Sequence, residues 1–154
     1  MGLFQAFDIS ASGMTAERFR MDTIAQNIAN INTTRTEDGT PYRRKIVTFA
    51  EKTETPFSQY YETARARAVG NGVKVTSVKE DDETEMRMVY DPSHPDADEN
   101  GYVTYPNVNT VTEMTNLIDA TRAYEANTTA FDATKSMVQA ALNVLGSVHV
   151  AAFT

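Results

Sequence analysis

Residues 110–146 read TVTEMTNLIDATRAYEANTTAFDATKSMVQAALNVLG, and the spacing of the apolar side chains in this stretch decides the architecture. Steps of three and four run through Met114, Leu117, Thr121, Tyr124, Thr128, Phe131, Lys135, Val138, Leu142 and Leu145, and seven of these ten positions are apolar. Ile118 and Ala141 widen the stripe. Such a rhythm predicts one amphipathic helix with a coiled-coil-like seam. Thr110-x-x-Glu113 has the form of a capping box at its start, and Gly146 supplies a residue suited to closing it. About 36 residues at 1.5 Å rise make a helix about 54 Å long. A compact domain of this size has a radius of gyration near ~15 Å, so the helix overshoots its own globule and its seam calls for partners outside it.

The amino-terminal segment repeats the pattern. Phe4, Phe7, Ala11, Met14, Arg18, Met21, Ala25 and Ile28 follow the same alternation, and seven of the eight fit an apolar seam. Gly13 weakens this helix by ~1 kcal/mol relative to alanine. The segment then fills with asparagine in DTIAQNIANINTTRT (residues 22–36): Asn27, Asn30 and Asn32. Asparagine competes with the helical backbone for hydrogen bonds. Asn27 and Asn30 lie three apart on one helical side, where a fixed amide can set the register of a packed junction. Asn32 and Thr33 read as the stop that ends the helix.

Residues 35–109 lack helical rhythm. YRRKIVTFAEK (42–52), GVKVTSV (72–78), MRMVY (86–90) and GYVTY (101–105) alternate as short strands, separated by EDGTP, VGNG and DPSHPDADENG as turns. Residues 53–68 form a loop or short extra helix between the first two. The expectation is an α+β chain: a helical segment at 1–34, a β-rich module at 35–109, a helix at 110–146 and a tail at 147–154.

The bulk properties narrow the function. The net charge of −7 carries no nucleic-acid footprint, and the basic cluster Arg43-Arg44-Lys45 reads as a solvated strand face. There is no cysteine, which removes thiol nucleophiles and thiolate metal sites. No stretch reaches the ~18 apolar residues of a membrane span. The first ten residues hold no basic region followed by an apolar core, so no cleaved secretory signal is expected.

Asp96, Asp98 and Asn100, followed by Gly101, match the front half of an EF-hand loop and are the metal candidates. The position for the bidentate glutamate is Asn107, and ordinary turn chemistry accounts for the same residues. His94 and His149 have no zinc-ligand spacing. No nucleophile elbow or phosphate loop occurs, so no catalytic residue, cofactor or enzymatic activity is expected. A secreted calcium- or ligand-binding coiled-coil module is the alternative reading.

FDISASGMTAERFRMD (7–22), NIANINTTRTEDGTPYRRKIVTF (27–49), GVKV (72–75), YDPSHPDADENGYVTYPNVN (90–109) and EMTNLIDATRAYEANTTAFDATKSMVQAAL (113–142) together span nearly the whole chain. In these phrases the chain resembles the flagellar basal-body rod proteins. NIANINT and RAYEAN are similar to phrases shared across that family, and the stretches around TTRT and HPDADENGYV are similar to its proximal-rod members.

The resemblance implies terminal helices that pair as an antiparallel coiled coil around the inserted β module. It implies a structural subunit of the proximal rod, joined to copies of itself and to other rod proteins in a helical tube that transmits motor torque. It further implies passage through the flagellar type III export apparatus to the periplasmic basal body without a cleaved signal, and no membrane insertion. The seam and the asparagines give the expected assembly interface: Phe4, Phe7, Met14, Met21, Asn27, Ile28, Asn30, Ile31, Met114, Leu117, Tyr124, Asn127, Phe131, Val138 and Leu142.

Overall fold

A computed structural model describes residues 3–52 and 70–151; the expected loop at 53–68 and the end of the tail, 152–154, lie outside them. The order is α1 (Leu3–Ala29), β1 (Lys45–Glu51), β2 (Val73–Glu80), β3 (Arg87–Tyr90), β4 (Tyr102–Tyr105) and α2 (Thr110–Ala151). This is the expected α+β arrangement, with two helices packed on one another and two small antiparallel sheets, β1-β2 and β3-β4, between them in sequence. The chain divides into two compact units, one of Met1–Glu17, Ala50–Lys74 and Arg122–Thr154, the other of Arg18–Phe49 and Val75–Thr121.

In the first unit, α1 and α2 pair antiparallel. The Phe7 and Phe131 rings meet edge to face with centroids 4.8 Å apart, a geometry that aromatic pairs prefer. The Thr128 hydroxyl approaches the Met14 sulfur at 3.4 Å. Gly13 has a packing role that outweighs its low helix propensity: a Cβ there would stand 2.6 Å from Asn127 Oδ1, so the missing side chain makes room for the Asn127 amide. Gly72, with φ +93°, lies against Ser12 of α1 in the same way. The Ser12 hydroxyl accepts the Val73 N–H at 3.1 Å and donates to the Ile9 carbonyl at 2.7 Å, which ties the start of β2 to α1.

In the second unit, the end of α1 packs on the start of α2, with the Thr121 hydroxyl 3.6 Å from the Met21 sulfur. The β3-β4 hairpin pairs Arg87 with Tyr105 and Tyr90 with Tyr102. Val103 is fully buried, while Met88, Tyr90 and Tyr102 are exposed.

Three local expectations are corrected. The cap of α2 is Asn109, one residue before Thr110: its Oδ1 accepts the N–H groups of Val111 at 3.0 Å and Thr112 at 3.1 Å. Asparagine ranks among the strongest caps, and taking that position frees Glu113 from any capping role. Gly146 does not end α2, which continues to Ala151. A closing glycine must adopt a left-handed backbone, and Gly146 stays helical.

The third correction concerns the inner edge of the seam. Met114, Thr121 and Lys135 are exposed, whereas Glu113, Ala120 and Thr134 are buried. Together with Asn127 these form a seven-residue repeat one position earlier than the apolar pattern indicates. On α1, Phe4, Arg18 and Ala25 are likewise exposed, and Ser10, Ala16, Thr23, Ile24 and Asn27 are buried. Apart from Ile24, these buried side chains are small or polar, which allows close helix approach and which hydropathy does not register.

Candidate functional site

The most constrained part of the second unit is a buried polar network at the junction of α1, β1 and α2. Asn27 reaches it because it stands on the last turns of α1, and it is 1% exposed. Its amide has two donors and two lone pairs, and all four are used. Nδ2 donates to the Lys45 carbonyl at 2.9 Å and to Glu113 Oε2 at 3.0 Å. Oδ1 accepts the Tyr42 hydroxyl and the Lys45 N–H, both at 2.9 Å.

Glu113 is 0% exposed. Its second oxygen, Oε1, takes the Arg44 Nε at 2.8 Å and the Arg44 Nη2 at 2.8 Å. A buried carboxylate is tolerated only when charge and hydrogen bonds compensate its lost hydration, and Arg44 and Asn27 do so from opposite sides. Arg44 is therefore not part of a solvated basic face. The β alternation turns it inward onto Glu113, while its neighbour Arg43 points out and pairs with the exposed Asp82 at 2.9 Å.

Asn107 extends the network. Its Oδ1 accepts the Arg44 N–H at 2.9 Å, and its Nδ2 donates to the carbonyls of Asp81 at 2.8 Å and Thr84 at 3.1 Å. Asp81, also buried, accepts the N–H groups of Glu83 and Thr84 and the Thr84 hydroxyl. These bonds, led by that of the Thr84 amide, hold its carboxyl below the usual range against the opposing effect of burial. Burial, and then the nearby Glu113 and Glu80 charges, push the Tyr42 hydroxyl up. The sequence gives Glu113, Arg44 and Asn107 other roles, a cap, a solvated face and a turn, and does not single out Tyr42 or Asp81. Their signal is pairing across long separations, which no local pattern carries.

Asn30 behaves differently from Asn27. Its Nδ2 donates back to the Gln26 carbonyl at 2.9 Å and its Oδ1 accepts the Thr33 hydroxyl at 3.1 Å, so its bonds are local ones at the end of α1. Among the other expected interface residues, Phe7 and Phe131 touch each other, Met14 and Met21 meet Thr128 and Thr121, and Asn127 sits against Gly13. Ile28, Ile31, Leu117, Tyr124 and Val138 are half-buried. Phe4, Met114 and Leu142 are 80%, 55% and 61% exposed.

Asp96 has both carboxylate oxygens engaged by the protein, and Asp98 has one. Asp96 Oδ2 accepts the Thr34 hydroxyl at 2.8 Å, and Oδ1 lies 3.6 Å from Arg35. Asp98 Oδ1 accepts the N–H groups of Asn100 and Tyr102 at 2.9 and 2.8 Å. Among the described residues no group of three His, Asp or Glu side chains is placed to hold a metal ion, and no helix is long and apolar enough to cross a membrane.

Residues 7–35 match the family described as flagella basal body rod protein, and residues 99–144 match the C-terminal family of the flagellar basal body rod FlgEFG proteins. The helical ends thus have the form of the flagellar rod class. Over nearly the whole chain the similarity is to one member of that class. The flagellar basal-body rod proteins FlgC of Borreliella burgdorferi and Bacillus subtilis are each 44% identical, across 94% of this chain and 99% of theirs. FlgC of Salmonella typhimurium is 41% identical across 90% of this chain and 94% of its own. The chain belongs to the FlgC family of flagellar basal-body rod proteins.

Proposed function

We propose that this chain is a structural subunit of the flagellar basal-body rod, and that its work is assembly rather than turnover. The observation that carries the reading is the apolar stripe of Val111, Met114 and Ile118 at the start of α2, 75%, 55% and 52% exposed. It lies on the far side of the helix from buried Glu113 and Ala120. A stripe at that spacing is what a packed helix presents to a partner. Copies of this chain and other rod proteins are the partners, joined by heterologous contacts that extend instead of closing a ring. The resulting helical tube sits in the periplasmic part of the basal body and transmits torque. Its subunits reach it through the flagellar type III export apparatus.

The test is a pair of substitutions, Met114→Asp and Ile118→Asp, which leave the Glu113 network untouched. The expected result is a folded subunit that is exported but not incorporated, with loss of swimming and unchanged growth. Normal swimming by the doubly substituted strain would overturn the role given to this stripe.

A further inference from the structure

The chain contains two Asn-Gly dipeptides, Asn71-Gly72 and Asn100-Gly101, and both glycines take positive φ, +93° and +81°. Asn-Gly is the dipeptide most open to intramolecular attack, because glycine places no Cβ in the path of the ring that forms. The attacking atom is the glycine backbone nitrogen, and a hydrogen bond from its N–H holds back both its proton and its motion.

The two sites differ in that respect. At Asn100-Gly101 the Gly101 N–H donates to the Asp98 carbonyl at 3.0 Å, and the Asn100 N–H donates to Asp98 Oδ1 at 2.9 Å. The Asp98 N–H in turn donates to the Tyr102 carbonyl at 2.9 Å, and Gly101 is buried. At Asn71-Gly72 the carbonyl of Gly72 accepts the Lys52 N–H at 2.8 Å. Neither the Gly72 N–H nor the Asn71 side chain has a hydrogen-bond partner among the described residues.

We propose that Asn71-Gly72 is a site of spontaneous covalent modification, deamidation through a cyclic imide, and that the fold itself selects it over Asn100-Gly101. The Gly72 nitrogen bonds to Asn71 Cγ, the Cγ–NH2 bond breaks, and ammonia leaves with the proton lost by the Gly72 amide. Water then opens the imide at either carbonyl, giving aspartate or isoaspartate at 71, with no change of oxidation state. Either product adds a carboxylate next to Gly70, against which the Glu51 carboxylate already lies. The isoaspartyl product also lengthens the backbone where Gly72 meets Ser12, and so loosens the junction between α1 and β2 in the first unit.

The experiment ages the purified full-length chain at mildly alkaline pH, folded and in denaturant, and measures aspartate and isoaspartate at both positions by peptide mapping. In the folded chain residue 71 converts several-fold faster than residue 100, and the two rates converge in denaturant. Asn71→Gln abolishes the fast conversion. Equal rates in the folded chain, faster conversion at residue 100, or protection of residue 71 relative to the denatured chain would each overturn the assignment.

Discussion

Asn27 and Glu113 are 86 residues apart in sequence and meet through a 3.0 Å hydrogen bond from Nδ2 to Oε2, with Arg44 on the opposite carboxylate oxygen. One residue ends α1 and the other begins α2, so the bond and its ion pair join the two helices to β1 at a single point.

Replacing Glu113 by alanine leaves Arg44 with only its 3.5 Å contact to Asp81 and takes one of two acceptors from the Asn27 amide. A loss of about 3–5 kcal/mol is expected, as for other buried pairs broken on one side. Urea denaturation of the whole chain should show a lower midpoint; a loss under ~1 kcal/mol would show that solvent reaches the pair.

Asn27→Ala and Asn30→Ala should separate. The first orphans the Lys45 backbone groups and the Tyr42 hydroxyl, at ~1–3 kcal/mol. The second removes a local cap bond at a half-exposed site, within roughly 1 kcal/mol. The expectation that both asparagines act alike at a junction between subunits gives way to an intrachain role for Asn27, and equal effects on thermal stability would argue against it.

Gly13→Ala gains ~1 kcal/mol of intrinsic helix propensity, yet it should destabilise the protein, by about 1–3 kcal/mol for an overpacked contact. The new methyl meets the Asn127 amide. Adding Asn127→Ala should recover stability, and strict additivity of the two changes in a double-mutant cycle would refute direct contact.

The pH profile should fall at both ends. Asp81 has a lowered pKa in the fold, so its contribution is complete above the ordinary carboxylate value and is lost as pH falls below ~4. Tyr42 has a raised one, so its contribution is complete below the ordinary phenol value and is lost as pH rises above ~10. Asp81→Asn should flatten the acid limb and Tyr42→Phe the alkaline one; unchanged slopes would remove these residues from the account.

Among the described residues, periodicity locates both helices and the four strands, including β3, which is exposed along its whole length. The seam itself is displaced by one residue, because Glu113, Ala120, Asn127 and Thr134 are small or polar and none of them is strongly apolar. Glu113 was assigned to a capping box by its spacing from Thr110, and only the position of Asn109 shows that it is free for Arg44. Arg44 looked solvated because charge runs usually are. The value of Asn107 was invisible, since its three bonds reach β1 and the turn after β2. Asn27 was legible as an odd amide in a strong helix, though not as one whose partners lie in its own chain.

The seven-residue repeat of Glu113, Ala120, Asn127 and Thr134 gives the two sides of α2 different tolerances. A greasy inner side would accept α1 in several alignments at small cost. An inner side on which Glu113 takes a hydrogen bond from Asn27 and Asn127 fits against Gly13 penalises a slip of even one residue, because that bond and that fit are lost at once. The exposed stripe of Val111, Met114 and Ile118 carries no such constraint, so substitutions there leave the alignment of the two helices unchanged.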